Sequence, residues 1–393
     1  MIPVRPDVTA DCDIARMSRD RPRAGIADVP ISFHAREMDS LPVDRRRARG
    51  ALTNGAGRFE AHARVGIHDG WDIDEGLPAL RTEVSEERAR SVVTRNDSPD
   101  IGFDRSLNTY RGCEHGCVYC FARPTHAYLG LSPGLDFETR LTAKVNAAQA
   151  LRDELSKEGY EPRPIALGTS TDLYQPAERD RGLARAVIEV LSEFRHPLTI
   201  ATKGSLVERD ADLLAPMSVA GLARVGISVT TLDAGLARTM EPRAPSPARR
   251  MEAIRRLSAA GVECRVMISP VVPGLTDHEI EPIMEAAAEA GAKGVSAIVL
   301  RLPREVSPLF REWLGEAVPL RAARVMARVR ELHGGRDYDA EWGRRFTGTG
   351  VWADLIARRI EVAGRRLGLP RRMPPLRCDL FAPPKGPQLD LFD

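Results

Sequence analysis

Three cysteines fall within eight residues of this 393-residue chain, in the segment YRGCEHGCVYC that holds Cys113, Cys117 and Cys120. The spacing is Cys-x3-Cys-x2-Cys. The other three cysteines, Cys12, Cys264 and Cys378, are scattered, and six in all are too few for a disulfide scaffold. Clustered thiols of this kind are soft metal ligands. A zinc ion asks for four ligands, normally in paired Cys or Cys/His groups. Here the nearby candidates for a fourth are His115 and His126. Three thiolates on one tight loop also fit three corners of a cubane iron–sulfur cluster, which leaves the fourth iron open to a small molecule. Gly112 and Gly116 allow such a loop to fold closely. On spacing alone the iron–sulfur reading leads and zinc stays open.

The elements around this loop follow from hydrophobic patterning. From about 100 to 302, apolar runs at 164–171, 197–204, 224–231, 264–272 and 294–302 alternate with amphipathic stretches at 184–194, 247–261 and 280–291. Strand–helix alternation of this type predicts an α/β fold with a parallel sheet, and about six units predict a partial (βα)6 barrel. The expected organisation is an irregular N-terminal extension over 1–98, the barrel over 99–302, a helical region over 303–377 and a flexible tail over 378–393. Ligands of such sheets bind at the C-terminal ends of the strands. The strand-end candidates are therefore Ser170 in GTSTD, Lys203 in TKG, Ser228, and Glu241 in EPRAPSP. On residue type alone, Ser170 and Ser228 also suit turns, and Glu241 suits a helix cap.

The three-cysteine spacing with an aromatic, Tyr119, before the last cysteine resembles the signature of the radical S-adenosylmethionine (SAM) superfamily. The strings GTSTDLYQP, ATKG, VGISVTTLD, EPRAPSP and SPVVPGLTD are similar to the branch related to spore photoproduct lyase. RARGALTNGAGRFE matches the RGRGA-type stretch of bacterial members of unassigned function. The resemblance spans roughly 45–375. It implies a [4Fe-4S] cluster on Cys113, Cys117 and Cys120, with SAM on the unique iron. It also implies reductive cleavage to a 5′-deoxyadenosyl radical that abstracts hydrogen, with electrons from a donor such as flavodoxin or ferredoxin. Tyr119 then lies against adenine, Ser170 and Ser228 contact SAM, Lys203 meets its carboxylate, and Glu241 belongs to the same pocket. One departure stands out: the lyase returns hydrogen from a cysteine on the second barrel strand, and no cysteine lies between Cys120 and Cys264 here. Tyr174 and Tyr128 are the substitutes the sequence offers as hydrogen relays.

Net charge is only +2, and basic charge is almost entirely arginine, with Lys at just five positions. A lysine at 203 is therefore notable, because a compact ammonium differs from a guanidinium in what it binds. Between 358 and 377 seven arginines face one acid, Glu361. Arg358, Arg359, Arg365 and Arg366 there suit either DNA phosphates or a solvated helix face. The final QLDLF resembles the peptide by which replication and repair proteins dock on the bacterial sliding clamp, with Gln388, Leu389, Leu391 and Phe392 as contacts. The 45–60 stretch reads as a solvated arm or as an ordered strap near the site. No run of about 18 apolar residues occurs, so no membrane helix is expected and the cytoplasm is the expected location. A radical enzyme acting on DNA is the leading expectation. Action on RNA, a peptide or a small molecule is the alternative, and a non-catalytic iron–sulfur or zinc protein is the third.

Overall fold

The computed structural model describes residues 46, 48–60 and 79–384. The clamp-like residues at 388–392 lie outside the described residues. Two sheets are built from β1 (Glu83–Glu87), β2 (Val93–Arg95), β3 (Arg105–Leu107), β4 (Tyr110–Arg111), β5 (Arg140–Lys144), β6 (Ile165–Leu167), β7 (Leu198–Thr202), β8 (Ala223–Ser228), β9 (Cys264–Val271) and β10 (Gly294–Val299). The larger sheet runs β10-β9-β8-β7-β6-β3-β2, and the smaller β1-β5-β4. In the larger sheet only β2 is antiparallel. Six parallel strands in chain order are the expected partial barrel.

The crossover helices Leu183–Glu193, Ala211–Val219, Pro247–Ala259 and Ile280–Glu289 connect β6 to β10. Each turns apolar residues to the sheet: Val187, Ile188 and Leu191 from the first, Leu214 and Met217 from the second, Ile254 and Leu257 from the third, Ile283 and Met284 from the fourth. A strand covered in this way is apolar along its length, and β8 is buried at all six positions. The register pairs Cys264 with Val225. Cys264 is thus at the N-terminal start of β9, away from the strand ends where ligands sit.

Three segments differ from the sequence expectation. Two short strands, β1 and β2, lie in the stretch read as irregular. They are held by pairing with β5 and β3 rather than by a periodic pattern of their own. The Pro-rich segment after 370 is docked as far as 384. Pro370 accepts from Val295 N (3.1 Å), Pro374 accepts from Arg224 Nη2 (3.0 Å), and Phe381 meets Tyr160, Phe194 and His196. Helix Val351–Leu367 buries Ile356, Ile360 and Ala363, and its arginines pair locally. Arg359 pairs with Glu281, Arg366 with Glu285, and both Arg358 and Arg365 with Glu361. The four arginines read as phosphate contacts are tied to glutamates of the protein itself.

The 49–57 stretch is an ordered strap packed beneath the cysteine loop. Glu138 accepts from Gly50 N and Ala51 N (both 2.8 Å), and Arg49 donates to the Glu138 carbonyl (2.9 Å). A Cβ on Gly50 would lie 1.9 Å from the Gly116 carbonyl oxygen, so only glycine permits this approach. Glu138 also takes Arg123 Nη2 at 2.5 Å, with both side chains fully buried. Glu138→Gln leaves the Arg123 guanidinium buried without its counter-charge. We expect a loss of about 3–5 kcal/mol, read from the thermal or denaturant unfolding midpoint. A variant within about 1 kcal/mol of wild type would show that strap and loop do not depend on this pair.

Candidate functional site: a cysteine loop beneath a strand-end cavity

The cysteine loop comes directly after β4 and is fixed through its backbone. Cys113 N donates to Phe137 O (2.9 Å), Val118 N to Met240 O (3.0 Å), and Arg243 N to His115 O (3.3 Å). Arg123 donates Nε to Cys117 O (2.9 Å) and Nη2 to Gly116 O (3.0 Å). The three thiols therefore face one space, a cavity of about 530 Å³ at the C-terminal ends of the parallel strands. Its lining includes all three cysteines with Tyr119, Ser170, Lys203 and Ser228. Among the described residues no three His, Cys, Asp or Glu side chains close on a single-ion site. The thiols border a volume rather than a point.

Neither candidate for a fourth ligand completes a metal site with them among the described residues, although His115 also lines the cavity. His115 Nδ1 is 3.2 Å from Asp172 Oδ2. His126 has its Nε2 at 2.9 Å from Arg140 O and packs edge-on against Phe137. Burial pushes the Cys113 thiol well above its ordinary range and the Cys117 thiol up to about 12. Bare thiols at these two positions stay protonated, whereas bound iron would supply the positive charge that favours thiolate. Three soft donors and no carboxylate in the set fit an iron–sulfur cluster.

The turn after β6 begins at Gly168, whose φ is +78° and whose Cβ would lie 2.4 Å from the Ala201 carbonyl oxygen. Asn108 shapes the next two residues: its Oδ1 accepts from Ser170 N (2.9 Å) and Thr171 N (3.2 Å). Asp172 closes the turn, accepting from Thr202 Oγ1 (2.6 Å) and Lys203 N (2.7 Å). Burial raises its pKa, but His115 and these donors outweigh that and hold the carboxyl below its usual range.

Lys203 Nζ donates to Ser228 Oγ (3.1 Å), lies 5.7 Å from the Tyr119 ring centre and 3.9 Å from Glu241 Oε1. Glu241 is itself set one layer back, buried and outside the cavity lining. It accepts from Tyr119 Oη, from Thr230 Oγ1 (2.8 Å) and from Arg250. Glu241 thus positions Lys203 and Tyr119 instead of facing a ligand. Burial raises its pKa, but Arg250, Lys203 and Tyr119 bring it down to about 2. Lys203 in turn loses basicity to burial and regains more from Glu241, ending above its ordinary value.

The structure removes both tyrosine relays. Tyr174 donates its hydroxyl to Asp210 (2.9 Å) inside the core, and Tyr128 is exposed beside Phe59. Neither lines the cavity. Cys264 is wholly buried, and burial pushes its thiol up to about 12. Site residues that sequence reasoning missed are Asp172, which pairs with His115, and Asn108, Arg250, Ser269 and Arg301. Ser269, on β9, borders the cavity with a buried Oγ that has no partner among the described residues. Strand-end position was the available signal for Asp172, Ser269 and Arg301. None existed for Arg250, which reaches Glu241 from a crossover helix.

The chain resembles known proteins at three levels: a family model, sequence relatives and solved structures. Residues 107–287 match the family model described as the radical SAM superfamily. An uncharacterised protein of Mycobacterium tuberculosis (strain ATCC 25618 / H37Rv) is 40% identical over 235 residues, which cover 59% of this chain and 68% of that protein. An uncharacterised protein of Methanocaldococcus jannaschii is 27% identical over 199 residues, covering 51% of this chain and 71% of that one. Among solved structures, a spore photoproduct lyase variant superposes with a TM-score of 0.54 at 16% identity, over 73% of this chain and 80% of its own. A spore photoproduct lyase complexed with a dinucleoside spore photoproduct gives 0.54 at 15% identity, over 73% and 81%. These two likenesses establish the fold.

The depressed Glu241 carboxyl predicts a pH dependence. Its stabilisation is complete above its ordinary value of 4.5 and is lost as pH falls towards about 2. A shift of that size corresponds to roughly 3 kcal/mol. Glu241→Gln should be less stable than wild type at pH 7, with the difference shrinking below pH 4.5. Unfolding midpoints across that range check it, and parallel curves for the two proteins would refute it.

Proposed function

The chain belongs to the radical SAM superfamily, enzymes that work with a [4Fe-4S] cluster and SAM, and on that footing we propose that Cys113, Cys117 and Cys120 hold the cluster. The single observation carrying this is that all three thiols border one strand-end cavity together with Lys203. When bound, the cluster and SAM supply reductive cleavage to a 5′-deoxyadenosyl radical that abstracts hydrogen from a substrate.

The protein's own residues bind, orient and exclude water. Lys203 is the proposed partner of the SAM carboxylate, and the glutamate behind it keeps that ammonium charged and aimed. Tyr119, its hydroxyl tied to Glu241 and Thr230, offers a fixed ring face to adenine. Ser170 and Ser228 bracket the same space from β6 and β8. The cavity wall is mainly apolar, with Ile101, Phe103, Met267 and Ile298, which keeps water from a reactive radical. An electron donor such as flavodoxin or ferredoxin completes the scheme.

DNA is the substrate class we put first. The supporting points are the fold shared with lyases, one of them solved with a dinucleoside photoproduct, and aromatic side chains at the cavity. The reaction cannot copy the lyase in full, because among the described residues the only cysteines lining the cavity are the three of the loop. RNA, a peptide or a small molecule is the alternative substrate.

Anaerobic reconstitution followed by reduction should give a brown protein that forms 5′-deoxyadenosine from SAM. Changing any one of Cys113, Cys117 or Cys120 to Ala should abolish that product. Deuterium transfer from deuterated DNA into 5′-deoxyadenosine would identify the substrate class, and transfer only from RNA or a peptide would redirect it. A colourless protein carrying one zinc ion would overturn the assignment. Clamp docking rests on the tail sequence alone; it requires that deleting 388–393 abolish affinity for the purified sliding clamp.

A further inference from the structure

Among the described residues, one cation in the cavity has no carboxylate partner. Arg301 comes just after β10, and its neighbours Leu300 and Leu302 are buried with Val306, Phe310 and Trp313. Arg301 itself lines the cavity, as do Val299 and Leu300 before it. Its guanidinium carbon lies 4.0 Å from the Phe121 ring centre and 4.5 Å from that of Phe346. It is held between two aromatic rings, beside the loop that carries Cys120.

The contrast with the two buried guanidinium groups of the site is sharp. Arg123 is paired with Glu138 and Arg250 with Glu241. Arg301 makes no ion pair with a carboxylate among the described residues. Burial lowers its pKa, Tyr338 raises it, and Arg345 lowers it further. A guanidinium does not lose its proton in a protein, so this half-buried one without a carboxylate keeps its charge available to an anion. Arg345, a basic neighbour, is already committed to Asp100 (2.5 Å) and stacks on the far ring, Phe346 (4.7 Å). Phe121 is 41% exposed, so part of its surface is open to a planar group.

We infer that Arg301 anchors a phosphodiester of the substrate while Phe121 stacks on an adjoining base. A cation beside open aromatic surface, with Ile101 and Phe103 in the same wall, is the pairing that recognises a nucleotide unit. This rests on the DNA reading above and gives it a residue. SAM brings a carboxylate of its own, for which Lys203 is the proposed partner. The alternative source of an anion at Arg301 is therefore SAM itself.

The test uses reconstituted full-length protein and two probes, thymidylyl-thymidine and its neutral methylphosphonate analogue. Wild type should bind the charged probe about 10- to 100-fold more tightly than the neutral one. Arg301→Gln should erase that ratio, and Arg301→Lys should restore part of it through charge without the planar fork. A merely structural arginine would weaken both probes equally and leave the ratio intact, which overturns the inference. Equal wild-type affinity for the two probes overturns it as well. So does a variant that loses SAM affinity while keeping the probe ratio, since the guanidinium then belongs to SAM. SAM cleavage by the wild-type protein is measured alongside, so that failure of the radical chemistry is distinguished from failure of this anchor.

Discussion

A buried ion pair, Arg123 with Glu138, sits where three parts of the chain meet. Neither side chain reaches solvent. Arg123 spans Gly116 O, Cys117 O, Pro133 O and Gly134 O, while Glu138 receives the amides of Gly50 and Ala51. Burying two charges is costly, and their attraction offsets the cost only when the remaining donors and acceptors are also satisfied. Here they are. The pair therefore contributes geometry more than net stability. It sets the carbonyls of the cysteine loop, seats the strap beneath them and ties both to the short helix Asp136–Thr139. Any change in one partner is felt at the thiols.

Above that foundation the cavity is electrostatically uneven. On one side Glu241 gathers Tyr119, Thr230, Arg250 and Lys203, and Asp172 gathers His115, Thr202 and the Lys203 amide. Each carboxylate is held charged by partners that are themselves held in place. On the other side Arg301 lies between two rings, with no carboxylate paired to it among the described residues. In a low-dielectric space such an imbalance selects ligands by charge as well as shape. A closed electrostatic network suits a resident cofactor, and an open one suits a substrate that comes and goes.

Residues differed in how far they could be read in advance. The three thiols, Tyr119, Ser170, Lys203 and Ser228 were legible because spacing and strand-end position are local properties. All seven line the same cavity. Glu241 was legible as a pocket candidate but not in its place, since it ends the short helix Ala234–Met240 and its side chain turns behind the wall towards Arg250. The arginines at 358–366 were legible in type but not in their partners. As a string they are a basic block, yet helix packing brings Glu281 and Glu285 of a sequence-distant helix against them.

The amino-acid sequence by itself determined the spacing of the three thiols on one loop, the parallel α/β architecture and the sites at which strands end. These depend on periodicity and on residues a few positions apart. Tertiary structure alone decided which charges are neutralised. It made Glu138 the seat of the strap and Glu241 a support for Lys203. It also set Arg301 between two rings instead of beside an acid. Coulombic partners are chosen by proximity in space, across separations such as the 88 residues between Gly50 and Glu138, and no local pattern encodes that distance.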